Sequence, residues 1–93
     1  YIQHNTGIAD GLSGLAAALE ALAEQNIQMI YTTVHQVLAY GNYVLAVSEG
    51  TFGGAPTSYY DLWRVEKGKI IEHWDVMETI ADKSDWQNTN GKF

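Results

Sequence analysis

The sequence predicts an α+β domain in which one main helix packs on an antiparallel sheet of four strands. Three observations predict it. Leu12, Leu15, Leu19 and Leu22 recur at three- and four-residue spacing, which makes a single apolar helical stripe. From residue 27 onward the composition turns β-branched and aromatic. Three turn signals, Gly41-Asn42, Gly53-Gly54 and Lys67-Gly68, then cut that region into strand-sized pieces.

Each element has its own reason. Residues 1–9, "YIQHNTGIA", read as a short extended or helix-ending piece running into a glycine turn. Asp10 is an expected N-cap for a helix over residues 11–25, the alanines around the leucine stripe favour that helix, and Asn26 can end it. "IQMIYTTVHQVLAY", "YVLAVSEGTF", "PTSYYDLWRVE" and "KIIEHWDVM" follow as a hairpin-connected meander. The last stretch, "ETIADKSDWQNTNGKF", has weak periodicity and is expected to lie over something else as a tail. One helix cannot cover both faces of such a sheet. The second face is expected to be buried against missing helices, the tail or another subunit.

Composition narrows the function. Ninety-three residues make one domain, taken as residues 1–93, and a 46% apolar fraction argues against disorder. The net charge of −6 disfavours nucleic acid and anionic membranes as partners, since both require a basic footprint. No apolar run approaches a membrane span, and a cytoplasmic location is expected. There is no cysteine, hence no disulfide and no thiolate metal site. His and carboxylate pairs at metal-binding spacing within one element are missing, so neither a metal nor a cofactor is expected. P-loops, dinucleotide fingerprints and serine-nucleophile motifs are also missing.

The stretch "GKIIEHWDV" places Glu72, His73 and Asp75 within four positions of one strand. Taking residues 66–68 as a loop with a G1 bulge pairs Trp63 with Ile71, Asp61 with His73 and Tyr59 with Asp75. All six then share a face, because side chains alternate along a strand. Asp61, His73 and Asp75 among Tyr59, Trp63 and Ile71 combine ionisable groups with apolar neighbours, the setting of acid–base chemistry. An ordinary cross-strand ion pair between Asp61 and His73 is the competing explanation. The other face carries Tyr60, Leu62, Arg64, Ile70, Glu72, Trp74 and Val76, and is expected to bury Tyr60 and Trp74 in a homodimer. His35 and Glu49 are weaker candidates, as a partly satisfied histidine and a solvated acid.

The segments "YIQHN…G", "SEGTFGG", "DLWRVEKGKIIEHWDV" and "NGKF" resemble the SnoaL-like branch of the nuclear transport factor 2-like superfamily. Their most specific part is the block Arg64, Gly68, Lys69, Ile70, Glu72, His73, Trp74 and Asp75. The resemblance implies a cone, with a strongly curved antiparallel sheet wrapped around helices and a pocket inside, and dimers packed through the sheet. Polyketide cyclases of this branch perform an intramolecular aldol condensation with neither cofactor nor metal. By that resemblance Asp75 is the acid/base and His73 its histidine. The shared face read from the pairing is expected to set Tyr59, Asp61 and Trp63 against the substrate, and by the resemblance "QHN" would bring His4, with Gln3, to the pocket mouth. Thr6 stands where the family has Pro, and the family's N-terminal helices are expected to be missing ahead of Tyr1.

Three functions follow as expectations. The first is a cofactor-free cyclase or isomerase acting on a carbon acid. The second is a non-catalytic module that holds a small apolar or carbonyl-containing molecule. The third is a structural dimerisation unit.

Overall fold

The computed structural model describes the whole chain, residues 1–93. Its elements are β1 (Ile2–Gln3), α1 (Gly11–Glu24), β2 (Met29–Tyr40), β3 (Tyr43–Phe52), β4 (Ala55–Glu66), β5 (Lys69–Thr79) and a 3₁₀ turn, Lys83–Asp85. The strands make one sheet in the order β1-β5-β4-β3-β2. The meander β2–β5 is antiparallel throughout, as its hairpin turns dictate. A fifth strand joins it, because β1 runs parallel to β5 with Ile2 beside Glu72 and Gln3 beside His73.

The helix ends where the sequence places its stop, at Asn26, whose φ of 56° is a left-handed conformation that asparagine tolerates. Asp10 occupies the N-cap position without capping the helix. Its Oδ1 instead accepts the backbone N–H of Gln3 at 2.9 Å and so ties the helix start to β1. Leu15, Ala18, Leu19 and Leu22 face the sheet across a cavity. Leu12 and Leu19 remain 68% and 50% exposed, so the stripe is only partly covered.

The last hairpin corrects the expected register. Lys67 and Gly68, with φ of 51° and 75°, form a two-residue turn, and Glu66 pairs with Lys69. Such a turn alone would throw the faces out of step by one residue. A bulge supplies the missing residue: Val65 pairs with Ile70 and Arg64 with Glu72, which leaves Ile71 unpaired. Beyond the bulge Trp63 faces His73, Asp61 faces Asp75 and Tyr59 faces Met77. The expected pairs are each displaced by two positions, an even shift, so the expected face survives.

Strand β2 is bent by two register shifts, between Tyr31 and Thr33 and between Val34 and Gln36. It curls close over β3 at Gly50, where a Cβ would lie 1.7 Å from the Ile30 carbonyl oxygen. Only glycine permits that approach. The core sits in β3 and β4, where Ala46, Val47 and Tyr59 are buried beside Ser48, Thr57, Ser58 and Asp61. All of β2 is exposed. The tail lies over the outer face of the sheet, where Phe93 stacks on His35 at 4.2 Å and Lys92 bonds Glu78 at 2.8 Å. No helix is long and apolar enough to cross a membrane.

Candidate functional site

Between α1 and the inner face of the sheet lies a cavity of about 220 Å³. Helix leucines and Ile8 make one wall. Met29, Tyr31 and Trp63 make much of the other, and Tyr1, Gln3, Asp61, His73 and Asp75 supply its polar groups. The alternation of β5 puts His73 and Asp75 on the inner face and Glu72 and Trp74 on the outer one.

His73 is held at both ring nitrogens. Nε2 lies 2.9 Å from Asp61 Oδ1, and Nδ1 lies 3.1 Å from Gln3 Oε1. That Gln3 oxygen also accepts the Asn5 N–H at 3.0 Å, which fixes the orientation of its amide, so His73 must donate from Nδ1. The second oxygen of Asp61 accepts the Tyr31 hydroxyl at 2.9 Å. One proton therefore lies on the Nε2···Oδ1 line and is shared by the histidine and the carboxylate. Trp63 and Tyr1 stack against the imidazole with centroids at 5.8 and 6.5 Å. Burial, and then the charge of Asp61, pushes the Tyr31 hydroxyl well above the usual tyrosine range.

Asp75 is held differently. Its Oδ2 accepts Asn5 Nδ2 at 3.0 Å, while Asn5 Oδ1 takes the Gly7 N–H at 2.9 Å and so keeps the amide group turned toward the carboxylate. Oδ1 of Asp75 has no protein partner. Asp61, His73 and Asp75 each offer one metal-ligand atom, all within 4.8 Å of one another. They are the residues that could hold a cation, which would displace the proton between His73 and Asp61.

Of the six residues singled out in the sequence, Asp61, Trp63, His73 and Asp75 line the cavity. Tyr59 does not. It is 1% exposed beneath Tyr31, stacked on that ring at 4.2 Å, and its hydroxyl donates to the Thr51 carbonyl at 2.6 Å. His4 lies on the opposite face rather than at the mouth. Its Nε2 is 2.7 Å from Glu72 Oε2, and its ring stacks on Trp74 at 4.7 Å. Together with Arg64 Nε, 2.7 Å from Glu72 Oε1, it holds the Glu72 carboxyl below its ordinary value.

The structure adds Tyr1, Asn5 and Tyr31 to the site. The first two were readable as a period of two, because Tyr1, Gln3 and Asn5 must share a face if residues 1–5 are extended, with Ile2 and His4 on the other. Tyr31 gave no such signal, since the bulges of β2 break its alternation.

The family model described as "SnoaL-like domain" matches residues 1–73. No curated protein matches the chain.

Proposed function

The chain belongs to the SnoaL-like domain family of the nuclear transport factor 2-like superfamily, and we propose that its cavity takes a small carbonyl compound from which Asp75 removes a proton. The free Oδ1 of Asp75, in a cavity walled by leucines and aromatic rings, carries this reading. The reaction class is an aldol-type cyclisation or an isomerisation. The Cα–H bond of the ligand breaks and its proton goes to Asp75. The electron pair enters the enolate, whose charge gathers on oxygen. In an aldol step the enolate carbon bonds to a second carbonyl carbon of the ligand, whose π pair moves onto oxygen as an alkoxide. Return of the proton, to carbon in an isomerisation or to that alkoxide in an aldol step, restores the carboxylate. General-base assistance of this kind is worth roughly 10²–10⁴ in rate.

His73 is a positioning residue in this reading. Both of its nitrogens are engaged, by Asp61 and Gln3, so the dyad holds the floor of the cavity rather than meeting the ligand with a free donor. No Lys or Arg lines the cavity, which disfavours anionic ligands. The cavity is smaller than the roughly 300–1,000 Å³ of drug-sized pockets, which favours a molecule of one or two rings.

Exchange of the α-protons of 2-tetralone in D₂O, followed by NMR, tests the reading. The wild-type protein is expected to accelerate exchange and Asp75→Asn to abolish the acceleration. Undiminished exchange by Asp75→Asn removes the catalytic reading. The non-catalytic binding module then takes its place, favoured by the fully engaged His73–Asp61 pair.

The outer face supports a homodimer. Leu38, Leu45, Leu62 and Trp74 form one row across four strands, and Tyr60 and Val76 lie in the next. Leu38 and Val76 are 58% and 65% exposed. A contiguous apolar patch of this kind fits a second copy of the same sheet.

A further inference from the structure

An enolate needs a donor for its oxygen as well as a base for its proton, and the hydroxyls of the cavity differ in what they have left to give. The Tyr31 hydroxyl already donates to Asp61. Both nitrogens of His73 are engaged. The hydroxyl of Tyr1 only accepts: Gln3 Nε2 donates to it at 3.1 Å. Its own proton is uncommitted, and it belongs to a side chain that lines the same cavity as Asp75.

We propose that Tyr1 is a catalytic residue, whose hydroxyl donates to the oxygen of the bound carbonyl while Asp75 takes the proton from the neighbouring carbon. This rests on the carbon-acid reading of the cavity given above.

Three further features support it. Gln3 fixes the hydroxyl from behind: its amide donates to Tyr1 while its Oε1 is pinned by Asn5 N–H and His73. A lone pair of the Tyr1 oxygen is thereby occupied, which directs the O–H elsewhere. The ring rests against the imidazole of His73, so the dyad sets the position of the phenol as well. Burial, and after it the charges of Asp75 and Asp61, raise the Tyr1 hydroxyl above its ordinary value and keep its proton in place. Asp75 and Tyr1 then form a complementary couple, one free acceptor and one free donor. The indole N–H of Trp63 also lines the cavity, but it is much less acidic than a phenol and cannot follow a hydrogen bond with proton transfer.

Two measurements on the full chain test this, with circular dichroism to confirm folding of each variant. The first is the 2-tetralone exchange described above. The second is binding of 2-naphthol, an enol mimic whose oxygen accepts from Tyr1 while the adjacent ring carbon lies toward Asp75. Tyr1→Phe should lower kcat for exchange by about 10²–10³-fold with little change in KM, and weaken 2-naphthol about tenfold. Tyr40→Phe, in a strand-end residue that is 89% exposed, should change neither. If Tyr1→Phe behaves like Tyr40→Phe in both measurements, or if Trp63→Phe alone produces the 2-naphthol loss, Tyr1 is not the donor. If the wild-type protein exchanges nothing, the base reading falls by itself. Tyr1 then stands or falls as a ligand donor on the ratio of 2-naphthol affinities.

Discussion

Asp61 and Asp75 stand directly opposite one another on β4 and β5, two carboxylates facing into the same cavity. Like charges in that relationship repel, and the sheet accommodates them because each is compensated by different groups. Asp61 is 3% exposed and has His73 and Tyr31; Asp75 has Asn5.

The buried member of the pair sets the stability. His73→Leu leaves buried Asp61 without its Nε2 hydrogen-bond partner, which should cost about 1–3 kcal/mol. Asp61→Asn in the same chain should recover much of that loss. Urea denaturation of the wild type, both single variants and the double variant gives the coupling. A double variant no more stable than His73→Leu would mean that the two residues act independently.

Tyr31 predicts behaviour at alkaline pH. Its folded-state pKa is raised, chiefly by burial and then by Asp61. The contribution of the neutral phenol is therefore complete below the ordinary tyrosine value of about 10, and it is lost as pH rises from there through the folded value. Stability should decline on that limb, and the decline should be shallower in Tyr31→Phe. The variant should also lose about 1–3 kcal/mol at neutral pH, because Asp61 loses a donor. Thermal melts across neutral and alkaline pH, with tyrosinate absorbance read alongside, check both statements.

Glu72 predicts the opposite limb. The hydrogen bond to His4, followed by that to Arg64, lowers its folded-state pKa. Its contribution is present above the ordinary Glu value of about 4.3, and it is lost as pH falls below that through the folded value. Glu72→Gln should be less stable at neutral pH and show a flatter acid limb. Parallel acid and neutral melts decide it, and an unchanged acid limb counts against the His4–Glu72–Arg64 cluster.

Gly50→Ala should act through the backbone. Its Cβ would meet the Ile30 carbonyl, so β2 must move away from β3 and take Tyr31 off Tyr59. A cost of about 1–3 kcal/mol is expected, together with loss of the tyrosine signal in near-ultraviolet circular dichroism. A wild-type spectrum would show that the curl of β2 does not depend on this contact.

Leu38→Glu and Val76→Glu address the proposed dimer without touching the cavity. Both residues are more than half exposed on the outer face, so the fold should survive either change. Sedimentation should report a dimer for the wild type and a monomer for each variant. A dimer that persists in both places the interface elsewhere.

Most of the framework was legible because it rests on periodicity. The leucine stripe fixed the helix to within one residue at its end, and glycine-containing turns delimited the strands. The inner face of β5 was legible for a less direct reason. A two-residue turn at Lys67-Gly68 broke the expected register, and the bulge at Ile71 restored the parity. Such a bulge has no signature in residue type, so the facing partners came out two positions away. His4 is the clearest miss: one residue of offset along an extended strand moves a side chain to the other face, and only pairing with β5 reveals which. Tyr59 was placed on the correct face but too deep, since the curl of β2 covers it with Tyr31.

β1 is two residues long and is joined to the sheet through β5 alone. It nevertheless carries Gln3, and it leads directly to Asn5, the groups that orient His73 and Asp75. The segment is thus a small cooperative unit laid against a larger one. Its release would break a few bonds at one edge while every hairpin of the meander stayed closed. Amide exchange at His4, whose N–H donates to the His73 carbonyl at 2.9 Å, reports that release directly. A ligand that requires the organised site must bind the closed form, and so it should slow exchange at His4 while leaving exchange in β3 and β4 unaltered.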